Sequence, residues 1–494
     1  MNFETLQPYI QKRQALESAL TLISFDLETN APKNAIENTS QIYGTLSNEL
    51  FQTINNEEVK SILKQLTNES LTQAQKAIVR DWKKDIERIE KVPADQYQAH
   101  QELIMNAQHI WQSAKKENNY QMFMPYLKKL VEEEKAMATY RHPNNIYECL
   151  LQDYEPDFSI EQLDTFFQQL KDEIVPLIHD IQNSSYQIDK AYNYRTYDIE
   201  KQKAFNLEIA KYIGFDFDKG IIRESEHPFT DNLHNKDVRI TTHYYPNSLE
   251  SALFSTIHET GHAIYEFNID DEITLTPIGA GTSMGMHESQ SRFYENIIGR
   301  SPLFWKPLYP KLQDTFSPTL DDISFEHFIE GINKVEASLI RTEADELTYP
   351  LHIMIRYELE KKLFNEDIDF KQLPQLWNQM YQDYLGVIPS SDTEGILQDV
   401  HWAGGLFGYF PSYAIGSAVG AQIYAYMQKH TNIDEWIATG NFQALKDYLK
   451  EHLHRYGTIY TTNELLKNLT GETFNPQYYI DYLKTKYKAL YHLK

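Results

Sequence analysis

Residues 258 to 262 read His-Glu-Thr-Gly-His, and the apolar residues around them recur at helical steps: Leu249, Leu253, Phe254, Ile257, Ile264 and Phe267. On a helix, residues four apart share one face. His258 and His262 therefore point their imidazoles in one direction, with Glu259 projecting beside them. Two imidazoles next to an apolar stripe are costly to bury without partners. A divalent metal is such a partner. Zinc suits two imidazoles, a third protein ligand and one position left open for water. This chain must therefore build a buried helix here and bring a third ligand to it from elsewhere. Asn247 is the expected N-cap of that helix, with Glu250 three residues later completing a capping box.

The spacing is the H-E-x-x-H pattern of zinc peptidases. The third ligand decides the type of site. A third histidine six residues beyond the second would mark one branch, but that position is Asn268. A glutamate from a following segment marks another. Four are near: Glu266, Glu272, Glu288 and Glu295. Glu266 lies four residues past His262 on the same helix, stacked above the histidine. Glu272 stands among Asp270 and Asp271 and reads as solvated. Glu288 and Glu295 lie in the helical stretch from His287 to Ile298. Glu288 is in its first turns, just after the loop Gly279-Ala-Gly-Thr-Ser-Met-Gly285 that lets the chain fold back. Glu288 is the preferred ligand and Glu295 the second choice.

Elsewhere apolar residues also recur at three- and four-residue steps, as in Leu163, Phe166, Phe167 and Leu170. The first 130 residues read as long polar-faced helices, for instance Ala74 to Val92. The tract from Asp447 to Tyr491 reads as helical, broken near Gly457 and Gly471. The main irregular stretch is 213–248, and within it Asp237-Val-Arg-Ile-Thr-Thr242 alternates like a short strand. The expected fold is mainly α, with one small β-sheet beside the metal helix. Nothing resembles a linker, so residues 1–494 are expected to form one domain of two lobes around a cleft.

The net charge of −25 argues against nucleic acid and anionic membrane as partners. Cys149 is the single cysteine, which excludes an intrachain disulfide. The N-terminus shows no basic region followed by an apolar run, and no stretch reaches the roughly 18 apolar residues needed to cross a bilayer. Cytoplasmic residence is expected.

His258-Glu-Thr-Gly-His262 followed by His287-Glu-Ser-Gln290 resembles the carboxypeptidase Taq family of zinc metallocarboxypeptidases. Four more segments match that family's pattern in order: His227-Pro-Phe229, Asp237-Val-Arg-Ile-Thr241, Ile340-Arg-Thr-Glu-Ala-Asp345 and Gly395-Ile-Leu-Gln-Asp-Val-His-Trp402. The resemblance implies a helical fold with a deep central groove, related to angiotensin-converting enzyme and neurolysin. It implies release of single amino acids from the free C-termini of peptides with broad specificity. It also implies a zinc ion that cobalt can replace, and a homodimer.

Side-chain chemistry and the resemblance assign the same roles to the metal site: His258, His262 and Glu288 as ligands, and Glu259 as the base that passes a proton to the leaving amine. The resemblance assigns His401 and Tyr413 as donors to the oxyanion, with Tyr409 as the alternate. A free carboxylate calls for an arginine fork. Arg341, read as part of a helical segment, is the first choice. Arg239, read as lying on an edge strand, is the runner-up. His227 either lines the same pocket or braces its loop. Asp237 and Asp345 are expected to orient these arginines or the ligands. Trp402 reads as core or cleft wall. Two alternatives remain at this point: an oligopeptidase that cuts internal bonds, and a non-enzymatic helical scaffold that binds peptides.

Overall fold

The computed structural model describes residues 3–67 and 69–494. It is mainly helical, with a single three-stranded sheet among the described residues. The chain divides into two compact units by internal contacts. One comprises 1–90, 189–332 and 420–474, and the other 91–188, 333–419 and 475–494. No helix among the described residues is long and apolar enough to cross a membrane.

The first unit holds the sheet and the metal motif. Strand β1 (Gly220–Glu224) runs parallel to β3 (Asp237–Thr242), and β2 (Thr230–His234) runs antiparallel to β3 on its other side. The β3 limits agree with the alternation read from the sequence. Its position does not: β3 is the central strand, so Arg239 sits mid-sheet, opposite Ile221 and Asp231. The flanking strands were not legible because Thr230-Asp-Asn-Leu-His234 is polar and Gly220 to Glu224 too short to show a period.

Helix α1 (Leu249–Phe267) carries His258 and His262. Its apolar stripe is fully buried, and so are Thr256, Thr260 and Gly261 on its remaining faces. Val238 and Ile240 of β3 pack with Ala263 and Phe267 of α1 in one small core. The helix cap differs from expectation. Ser248 is the N-cap, accepting from the Ser251 N–H, while Asn247 lies outside it. Glu250 does not reach back as a capping box would. Its side chain pairs instead with Lys190 and accepts from the Tyr192 hydroxyl.

Helix α2 (Met284–Arg292) follows the glycine-rich loop, as expected, and continues as a π-helix over Phe293–Ile298. Such wide turns are frequent at functional sites. The two helices approach closely at Gly261: a Cβ there would lie 2.7 Å from the Gln290 carbonyl oxygen and 2.8 Å from the Ser291 Cα. Both are backbone atoms, which cannot rotate away.

Other expected helices hold with shifted ends. Ala74 to Val92 is Gln73–Ile89, started by a Thr72–Gln75 capping box. The C-terminal tract does break at Gly457 and Gly471, both with positive φ. In the second unit, helix α3 (Tyr349–Asn365) begins later than the sequence suggested. Arg341 lies before it, in a short 3-10 turn, Arg341–Glu343. Asp345 intercepts the backbone N–H groups of Leu347 and Thr348, and Pro350 opens the helix. The last labelled helix, α4, spans Pro411–His430.

Because the α1–α2 contact is backbone on backbone, we expect Gly261→Ala to lower the stability of the metal-free protein by about 1–3 kcal/mol. Denaturant unfolding checks this; an unchanged midpoint would show that the two helices can part at no cost.

Candidate metal centre

His258, His262 and Glu288 come together, their ligating atoms all within 4.8 Å of one another. Glu288 Oε2 lies 3.6 Å from His258 Nε2 and 3.4 Å from His262 Nε2. Donors about 2.0–2.1 Å from a tetrahedral ion stand roughly 3.4 Å apart, so the spacing fits zinc. The far nitrogens are already engaged. His258 Nδ1 is 2.8 Å from Glu295 Oε2, and His262 Nδ1 is 2.5 Å from His287 Nδ1. Both Nε2 atoms are thereby left to face Glu288. Of the four glutamates weighed from the sequence, Glu288 alone comes within ligating distance of the pair. Glu295 holds His258 from behind, and Glu266 accepts from His287 at 2.6 Å. Glu272 is exposed.

Two arginines steady the carboxylates. Arg292 donates from Nε to Glu288 at 2.7 Å and from Nη1 to Glu295 at 3.1 Å. Arg300 lies 3.6 Å from the other Glu295 oxygen. Burial would push Glu288 up, but Arg292 and then His258 outweigh it and hold its carboxyl well below the usual range. Glu295 is held down to about 2 against its burial, chiefly by Arg292. Burial pulls His262 down to about 3, so it is neutral, the form that binds metal. Burial also opposes the charged form of His258, but Glu288 and Glu295 reverse this and raise it. Glu259 is buried beside them, its Oε2 taking a 2.5 Å hydrogen bond from Thr230 Oγ1 of β2. Burial raises its pKa despite His258 and Thr230, the direction that suits a proton carrier near neutrality.

A family model described as carboxypeptidase Taq (M32) metallopeptidase matches residues 5–487. The chain belongs to this family. Carboxypeptidase 1 of Bacillus subtilis is 42% identical over 480 residues, 96% of this chain and 95% of that protein. Thermostable carboxypeptidase 1 of Thermus thermophilus is 34% identical over 504 residues, 99% of each. A solved structure of Pyrococcus furiosus carboxypeptidase, 34% identical and covering 99% of both chains, matches with a TM-score of 0.95. The M32 carboxypeptidase of Deinococcus radiodurans matches equally well at 30% identity, over 99% of both chains. The protein is thus a metallocarboxypeptidase that works with a divalent metal on peptides. The non-enzymatic scaffold reading is set aside.

The remaining residues of interest in this M32 chain fall into two groups. In the first unit, Arg239 is clamped by Asp237, with two 2.8 Å hydrogen bonds, and its guanidinium lies 5.3 Å over the Phe25 ring. Asp237 therefore orients an arginine, as expected. His227 is exposed, and its carbonyl accepts from Ser225 Oγ at 2.6 Å.

In the second unit, Arg341, His401, Tyr409 and Tyr413 gather. His401 Nε2 is 3.1 Å from the Tyr413 hydroxyl, and the rings of Tyr409 and Tyr413 are 5.4 Å apart. Arg341 is buried, with its guanidinium 5.0 Å over the Tyr413 ring. Its Nε and Nη2 lie 2.9 and 2.8 Å from Asp399, and Nη1 donates to Tyr349 at 3.1 Å. Arg356 grips the other Asp399 oxygen from Nε at 2.7 Å and Nη2 at 2.6 Å. Two cations thus share one anion, leaving a net buried positive charge. Burial, then Arg341, lowers His401 to about 3, so it acts as a neutral hydrogen-bonding group. Asp345 was expected to orient the arginines or ligands. It accepts instead from the Thr348 hydroxyl and from the N–H groups of Glu336, Leu347 and Thr348, holding the turn that leads into the helix.

Sequence reasoning gave no role to Arg292, Thr230, His287 or Asp399. Arg292 had a signal, since it follows Glu288 by four residues on one helix. Thr230 had none, because its strand was not recognised.

Trp402 is buried, and its Nε1 donates to Glu360 at 2.8 Å. The same carboxyl accepts from Tyr147 at 2.8 Å and from the Gly408 N–H at 2.9 Å. Glu360 so anchors both ends of the turn that bears His401. Burial pushes its pKa up to about 7. A raised pKa means that the folded state holds the proton more tightly than the unfolded one. Stability from this group is present below the ordinary carboxyl value and is lost as pH rises through about 7. We expect the stability of the wild type, relative to Glu360→Gln, to fall by up to about 3 kcal/mol between pH 5 and 8. Parallel denaturation series at both pH values check this; a constant difference would deny the shift.

Proposed function

We propose that this metallocarboxypeptidase uses zinc held by His258, His262 and Glu288, with Glu259 as the general base. The observation that carries this reading is the convergence of three ligating side chains beside a buried glutamate that is itself held in place by Thr230. Zinc at this position supplies a Lewis acid that acidifies water and polarises the scissile carbonyl. Glu259 takes the proton from the attacking water and delivers it to the leaving amine. His401 and Tyr413 donate hydrogen bonds to the oxyanion, and Tyr409 is the alternate donor.

The substrate is a peptide with a free C-terminus, and one residue is released per turnover with broad specificity. Arg341 holds the terminal carboxylate. Its support is the surplus positive charge that Arg341 and Arg356 leave around Asp399. Arg239, the runner-up for the carboxylate, contacts the peptide backbone, and His227 lines the same pocket. Cobalt replaces zinc with retention of activity, since its two-plus ion accepts the same imidazole and carboxylate donors. The family resemblance extends to a homodimer. The presence of a single cysteine, Cys149, supports residence in the reducing cytoplasm.

Glu259→Gln keeps the side chain's size and removes the base. We expect it to bind zinc as the wild type does and to lose about 10²–10⁴-fold in kcat. Metal analysis paired with a peptide assay checks both; a zinc-loaded variant with most of its activity would remove Glu259 from the role. Arg341→Ala removes charged hydrogen bonds of about 1.5–3 kcal/mol, so kcat/KM for free-acid peptides is expected to drop about 10- to 100-fold. Preference over C-terminally amidated peptides is expected to vanish. Mass spectrometry of a mixed free-acid and amidated digest reads both this preference and the size of the products. Internal fragments in place of single residues would favour the oligopeptidase reading.

A further inference from the structure

A histidine that binds metal through Nε2 must carry its proton on Nδ1, the tautomer that a free neutral imidazole does not favour. The protein has to enforce it. At His258 the enforcement is direct, because its Nδ1 faces the Glu295 carboxylate, which can only accept. At His262 the partner is another imidazole. His287 Nδ1, at 2.5 Å, could be donor or acceptor. A second contact settles which. His287 Nε2 lies 2.6 Å from Glu266, so the neutral His287 ring carries its one proton on Nε2 and its Nδ1 keeps a lone pair. His262 Nδ1–H then donates to that lone pair, and its own Nε2 is free for the metal.

The far end of this chain is fixed from three sides. Glu266 is buried, on the same α1 helix as His262 and one turn further along. Its Oε1 also accepts from the Gly281 N–H at 3.0 Å, and its Oε2 from the Asn232 side chain of β2. The seat of the His287 ring needs Gly281. A Cβ there would stand 2.6 Å from His287 Cδ2 and 2.7 Å from Tyr265 Cε1. Sheet, glycine loop and α2 are thereby tied to one carboxylate that never touches the ligating triad.

We propose that His287 and Glu266 form a positioning relay that sets the tautomer and ring orientation of His262, and through it the affinity for the metal. This rests on His262 being a ligand. The relay makes the two ligand histidines unequal: His258 is one hydrogen bond from a carboxylate, His262 two.

The test is zinc affinity, measured on metal-free protein by competition with a chromophoric chelator. His287→Phe keeps an aromatic ring and removes the acceptor; the dissociation constant is expected to rise about 10- to 100-fold. His287→Gln restores an acceptor towards His262 and a donor towards Glu266, and is expected to recover most of the loss. Glu266→Gln, which frees the His287 tautomer, is expected to fall between the two. A folded His287→Phe protein with wild-type zinc affinity would overturn the proposal, as would a Gln variant no better than Phe. Should the Phe variant fail to fold, imidazole nitrogen shifts of the histidine-labelled wild-type apoprotein decide. The relay requires His262 protonated on Nδ1 and His287 on Nε2, and the reverse pattern would overturn it. Failure of the wild type itself to bind zinc would fault the ligand assignment, a different result from indifference at position 287.

Discussion

The contact at Gly261 governs the metal centre. Helix α1 aims two imidazoles, but the carboxylate that meets them, Glu288, belongs to α2, and the two helices nearly touch where Glu288 reaches both Nε2 atoms. A side chain at position 261 would meet the Gln290 and Ser291 backbone. The residue between Thr260 and His262 is therefore fixed by distance, since interiors packed to crystal density have no slack to absorb a methyl group.

Around that contact the charges are arranged against burial. Glu259, Glu288 and Glu295 crowd one buried region, and isolated carboxylates there would protonate. Arg292 bridges two of them and Arg300 supports one. Glu288 and Glu295 remain anionic because of this, whereas at Glu259 burial prevails and raises the pKa. One small region so holds two carboxylates suited to bind and orient, and one suited to move a proton. A divalent cation adds positive charge where the arginines stop.

The arginines show how composition and chemistry alone fall short. Arg239 and Arg341 were singled out as forks for a carboxylate, and both turn out to be held by aspartates of the chain itself. For Arg341 the matter does not end in neutrality. Arg356, which carried no signal in its sequence context, shares Asp399 and leaves a surplus of positive charge. A single ion pair would have cancelled it.

What the sequence settled by itself was local. Helical spacing placed His258 and His262 on one face, β-branched alternation marked Asp237–Thr242, and the glycine loop foretold the turn into α2. These follow from geometry within a few residues. The order of recognised segments also pointed to the family. What only the tertiary structure decided was pairing over distance: Glu288 facing both Nε2 atoms while Glu295 backs His258, Thr230 on Glu259, His287 and Glu266 behind His262, β3 in the middle of its sheet, and Arg341 in a short 3-10 turn. Hydrogen bonds and ion pairs of this kind depend on which backbones approach within 3 Å, and that is fixed by the packing of the whole core, not by the identity of neighbours in the chain.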